Sequence, residues 1–141
     1  MTWESPIEAR IGLAVLVIAL VATACGGGAE VGGGEPSCRP EGITLHLTAR
    51  STRFNVDCLA APADVAFTIN FDNQDAGVAH VFVIYDKDPR RDPSAEQLFR
   101  GAQVTGPDMT TYEVGPLPAG TYHFRCDFHP DQMLGALLIG D

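Results

Sequence analysis

The stretch DVAFTINF, residues 64–71, alternates in a way that puts Val65, Phe67, Ile69 and Phe71 on one side of the chain. Only an extended strand, whose successive side chains point to opposite faces, brings those four together. The same habit recurs in ITLHLTA (43–49), TRFNVDC (52–58), AHVFVIYD (79–86), TYEVG (111–115), TYHFRC (121–126) and GALLIG (135–140). Short alternating runs broken by Gly, Pro, Asn and Asp predict an all-β sandwich or barrel. Residues 87–108 interrupt the pattern, being charged and Pro-rich, and Ser94 is placed to N-cap one or two helical turns through Leu98.

Strand parity also sorts the reactive side chains. In TYHFRC, Tyr122, Phe124 and Cys126 share a face that the aromatic pair marks as the core side, so Cys126 points inward. The same parity turns His80 inward beside Phe82 and Ile84. His46 and His123 fall on outward faces and are expected to be solvated, while Met109 reads as a filler in a Pro-rich turn. Two strand ends carrying His80 and Cys126 could meet a loop carrying His129 and Met133 at one pole of a sandwich. A Cys, two His and a Met suit zinc poorly, because structural zinc is held by Cys and His alone. They suit copper, for which two imidazoles, a thiolate and a weak thioether are a known electron-transfer set. A lone inward cysteine is usually a small buried hydrophobe. A Cys–His nucleophilic pair would need an orienting third group, and the sequence offers none.

The N-terminal part is of another kind. The apolar run from Ile11 to Ala24 is short for a bilayer span and matches a signal-peptide core. It leads through VATA to Cys25 and then to the Gly-rich residues 26–37. This resembles a bacterial lipoprotein signal, with Ala22 where Leu is usual and with Glu4 and Glu8 in a segment that is ordinarily basic. The organisation expected is a signal peptide over 1–24, a lipidated Cys25 with a flexible tether over 25–42, and one domain over 43–141. The twelve Gly-rich residues 26–37 have an end-to-end distance of roughly 19 Å. The formal charge of −9 argues against nucleic acid, which needs a basic stripe.

Residues 43–140 resemble the cupredoxins, of the plastocyanin-like and auracyanin-like type. The resemblance is carried by FDNQDAGVAH (71–80), by FRGAQVTGP (99–107) and by LPAGTYHFRCDFHPDQMLGALLIGD (117–141), with its Cys-x2-His-x3-Met spacing. It implies a Greek-key β-sandwich holding one type-1 copper through His80, Cys126, His129 and Met133. It also implies a blue-copper electron carrier rather than an enzyme, working with redox partner proteins; with the lipoprotein-like signal, a monomer on the outer face of the cell membrane is expected. A copper carrier or buffer, or a soluble exported protein, is the alternative. One departure stands out: Val81 follows the first histidine where Asn is common, so either another group ties the two ligand loops together or the site is looser. Cys38 and Cys58 are left over, and in an exported protein such a pair is expected to form a disulfide.

Overall fold

A computed structural model of the chain describes residues 38–140. The expected signal peptide, Cys25 and the Gly-rich residues 26–37 lie outside the described residues. The strands in chain order are β1 (Thr44–Ala49), β2 (Cys58–Ala61), β3 (Phe67–Asn73), β4 (Ala79–His80), β5 (Val83–Tyr85), β6 (Gln97–Arg100), β7 (Val104–Thr105), β8 (Asp108–Val114), β9 (Gly120–Arg125) and β10 (Leu134–Ile139). They form a sheet in the order β1-β3-β8, a larger one in the order β2-β10-β9-β5-β6, and a short β4-β7 ribbon. The β1–β3 and β2–β10 pairs are parallel and the remaining pairs antiparallel. The all-β sandwich reading therefore holds.

The alternation explains the core. Leu45, Leu47 and Ala49 of β1 and Phe67, Ile69 and Phe71 of β3 are buried, together with Tyr112, Phe124, Leu137 and Ile139 from other strands. Aromatic rings run between the sheets: Phe71 stacks on Tyr112, Tyr112 on Phe82, and Phe82 lies 5.5 Å from Phe124. Each such side chain, fully buried, contributes roughly 1.5–3 kcal/mol relative to exposure. The sheet closes tightly here. A Cβ on Gly135 would lie 2.5 Å from the Asp57 carbonyl oxygen, so only glycine fits beneath the Phe124 ring.

Several boundaries differ from the sequence reading, each for a physical reason. Residues 52–58 do not form one strand, because Ser51 and Thr52 take positive φ (54° and 55°) and turn the chain. Pairing there is limited to a bridge between Phe54 and Ala49 before β2 begins. Val65 precedes β3 and is exposed rather than packed. Residues 79–86 split, His80 ending the β4 ribbon while β5 joins the large sheet. No helix follows Ser94. Asp92 captures both the N–H and the hydroxyl of Ser94, at 2.9 and 2.6 Å, and Asp86 accepts the Glu96 N–H at 2.7 Å, closing a loop that runs straight into β6. In that loop Asp88 is buried against Arg90, whose guanidinium holds its carboxyl down at about 2. Cys38 and Cys58 are joined by a disulfide, with Cα atoms 5.9 Å apart.

Candidate metal centre

β9 delivers Cys126 at its end, and the short β4 delivers His80 from the neighbouring ribbon. Both are fully buried, whereas His129 is half-buried. The segment after β9 curls back on itself through backbone bonds. The His129 N–H donates to the Cys126 carbonyl (3.1 Å), the Met133 N–H to the His129 carbonyl (3.0 Å), and the Cys126 N–H to the Met133 carbonyl (2.8 Å). This turn sets the spacing of Cys126, His129 and Met133 and buries Met133 completely.

The donor atoms converge. His80 Nδ1 lies 3.8 Å and His129 Nδ1 3.7 Å from Cys126 Sγ, and the three donor atoms all lie within 4.8 Å of one another. With metal–nitrogen bonds of about 2.0 Å and a metal–sulfur bond of about 2.3 Å, a trigonal arrangement needs a nitrogen–sulfur separation of about 3.7 Å. Both nitrogen–sulfur separations match that value. The donor set is that of a soft or borderline metal, with a thiolate, two imidazoles and a buried thioether side chain on the same loop. The residues present could therefore hold copper.

Side-chain ties fix the His80 side from behind. His80 Nε2 lies 2.9 Å from Asp75 Oδ2, and Asp75 also accepts the N–H groups of Ser51 and Thr52. Burial pushes the Asp75 carboxyl up, but these hydrogen bonds outweigh it and the net direction is down. Asn73, fully buried, donates from Nδ2 to the carbonyls of Val78 (2.8 Å) and Val104 (2.9 Å) and accepts the Asp75 N–H at 3.0 Å. Gly106 packs against it so closely that a Cβ there would lie 2.7 Å from Asn73 Oδ1. The tie left open by Val81 is made by its backbone, whose N–H points at Cys126 Sγ at 3.5 Å.

On the other side Asp127 gathers charge. It accepts from Arg125 Nε (2.7 Å), Arg100 Nη1 (2.6 Å) and the Tyr85 hydroxyl (3.0 Å), while the Arg125 guanidinium lies over the Tyr85 ring. Burial pushes the Asp127 carboxyl up and the three donors more than reverse it. Beneath the site the Tyr112 hydroxyl donates to the Ala102 carbonyl, and burial with the nearby Cys126 charge pushes its pKa up to about 12.

Other sequence expectations resolve differently. Met109 is no filler; it stands 66 % exposed near the start of β8, away from the buried donors. His46 is exposed, but His123 is half-buried, and burial lowers its pKa. Neither joins the donor group. Asp75 and Asp127 carried no assigned role in the sequence reading. For Asp75 a signal existed: Asp-Ala-Gly-Val is a turn sequence, Gly77 takes φ +74°, and the Val78 N–H bonds back to the Asp75 carbonyl. That turn returns Asp75 toward His80. For Asp127 the partners come from β5, β6 and β9, and no local pattern announces them.

Among solved structures, the chain is similar to auracyanin A from Chloroflexus aurantiacus, described as a blue copper protein, at 18 % identity and a TM-score of 0.61 over 70 % of this chain and 99 % of that one. It is similar to auracyanin from Roseiflexus castenholzii at 15 % identity and a TM-score of 0.58, over 70 % and 98 % of the two chains. It also resembles rusticyanin from Thiobacillus ferrooxidans at 22 % identity and a TM-score of 0.58, over 75 % and 85 %. No curated protein sequence matches significantly. At these identities the shared sandwich is what the likeness shows. The sequence model of the cupredoxin-like domain matches residues 13–139, and with that span and this fold the chain belongs to the cupredoxin-like family.

Proposed function

We propose that the chain is a one-electron carrier that holds a single copper ion through His80, Cys126, His129 and Met133. Copper bound there would supply a Cu(I)/Cu(II) couple. The observation that carries this reading is the near-equal approach of His80 Nδ1 and His129 Nδ1 to Cys126 Sγ, at 3.8 and 3.7 Å, in a site already braced by hydrogen bonds. Donors held in place favour electron exchange, because neither oxidation state requires them to move far. His80 and Cys126 are sealed from solvent. The half-buried His129, beside Phe128 at 44 % exposure, gives a partner its shortest approach. The description of auracyanin A as a blue copper protein adds support by analogy.

The same reading places the domain outside the cytoplasm, tethered to the cell membrane by a diacylglyceryl group on Cys25. The lipoprotein-like sequence before Cys25 and the Gly-rich residues after it support this. One lipid chain binds only marginally and two bind durably. Among the described residues no helix is long and apolar enough to cross a membrane. The partners are redox proteins, with basic faces favoured by the charge of −9. The domain acts as a monomer and performs no substrate chemistry of its own.

Copper loading of the purified protein tests this. One copper per chain and an intense visible charge-transfer band are expected, with the band lost in Cys126→Ser. A colourless protein that takes up copper at full stoichiometry would instead be a copper carrier or buffer. Cys25→Ala should keep the colour and lose membrane retention; retention unchanged would remove the lipid anchor from the account.

A further inference from the structure

We propose that Asp75 is a positioning residue that fixes His80 as a metal ligand and, through its charge, lowers the reduction potential of the centre; this rests on reading the site as a copper centre. An ionised carboxylate only accepts hydrogen bonds, so the 2.9 Å contact to His80 Nε2 places the imidazole proton on that nitrogen. The bare Nδ1 then faces Cys126 Sγ at 3.8 Å, the tautomer a metal requires.

Asp75 is itself held at every hydrogen-bonding group. Its N–H donates to Asn73 Oδ1 and its carbonyl accepts the Val78 N–H. Its carboxylate accepts the successive N–H groups of Ser51 and Thr52, the latter at 2.8 Å. Those two residues take φ of 54° and 55°, a conformation unfavourable for side chains other than glycine, and successive N–H groups so arranged form an anion cradle. A segment far back in the sequence thus grips the carboxylate that grips the ligand.

Among the described residues no Lys or Arg side chain pairs with its charge, and its one titratable partner is the His80 imidazole. Its side chain is 13 % exposed, so its charge is screened less than one at the open surface. A negative charge on the outer nitrogen pushes electron density toward Nδ1. That strengthens donation to the more highly charged oxidised metal and so favours Cu(II) over Cu(I).

Two variants of the full chain separate orientation from turn support. Asp75→Asn removes the charge, and Asp75→Ala removes the hold on the imidazole. Each is also made with Ser51→Gly and Thr52→Gly, which let the turn keep its positive φ without the carboxylate. The reduction potential of the copper-loaded protein should rise in Asp75→Asn, with or without the glycines. In copper-free protein, nitrogen NMR should show the His80 Nε2–H of wild type exchanging at least tenfold more slowly than in Asp75→Ala. The proposal is overturned by an unchanged potential in Asp75→Asn, by the glycine pair alone reproducing the rise, or by unaltered Nε2–H exchange in Asp75→Ala. A wild type without a reversible couple would sink the copper reading instead, and the copper-free exchange measurement would still decide whether Asp75 holds His80.

Discussion

Two aspartates flank the donor group, one behind His80 and one beside Cys126, and their surroundings are opposite in kind. Asp127 faces two guanidinium groups and a phenol, so its charge is cancelled where it stands. Asp75 faces two backbone N–H groups and the ligand imidazole, so its charge is stabilised but not cancelled. Both carboxyls are held below the ordinary carboxylate range. The same residue type therefore does different work: Asp127 clamps the loop that follows Cys126, and Asp75 projects a charge onto the centre. Geometry near a metal is not enough to infer an electrostatic effect; the compensating groups decide it.

The largest effect should come from cutting the support common to the Asp75 side. Asn73→Ala removes three hydrogen bonds, from Nδ2 to the carbonyls of Val78 and Val104 and from the Asp75 N–H to Oδ1, although the Val78 carbonyl still accepts the Gly106 N–H. Each lost hydrogen bond is worth about 0.5–1.5 kcal/mol, so the copper-free protein should lose on the order of 3 kcal/mol in urea unfolding. A loss under about 1 kcal/mol would mean that this side is not braced as described. Next, Asp127→Asn should cost about 2 kcal/mol, since charge-assisted bonds from Arg125 and Arg100 weaken together. It should leave the reduction potential nearly where it was. A rise equal to that of Asp75→Asn would erase the contrast between the two carboxylates.

Legibility followed distance along the chain. Cys126, His129 and Met133 lie within one turn closed by its own backbone bonds, so their spacing alone exposed the cluster. Parity turned Cys126 and His80 inward, and both side chains are fully buried. It did so for His80 even though residues 79–86 break into two strands of different sheets. The alternation of β1 and β3 likewise foretold the core. The supporting groups were hidden because their partners are remote: Ser51 to Asp75, Tyr85 to Asp127, Asn73 to Val104. A helix after Ser94 was expected because a serine in a polar run is a good cap. The side chain of Asp92 took up that serine's hydrogen bonds, an outcome that capping preference alone cannot weigh.

A smaller effect is expected from the thioether. Met133 is fully buried beside the donors and Met109 is 66 % exposed. Met133→Gln replaces a soft sulfur by a harder amide oxygen, which favours Cu(II). The potential should fall by the equivalent of about a tenfold change in relative Cu(I) and Cu(II) affinity, about 1.4 kcal/mol. Copper should stay bound, and Met109→Gln should change neither quantity. Equal responses at the two methionines would remove Met133 from the ligand set.

The account turns on a preformed His80–Cys126–His129 group serving a reversible one-electron couple. Redox titration of the copper-loaded protein, followed through its visible band, addresses that claim most directly. The expected result is a single Nernstian one-electron transition, fully reversible, with one copper per chain retained in both oxidation states. Copper released on reduction, or a bound metal with no reversible transition, would contradict it.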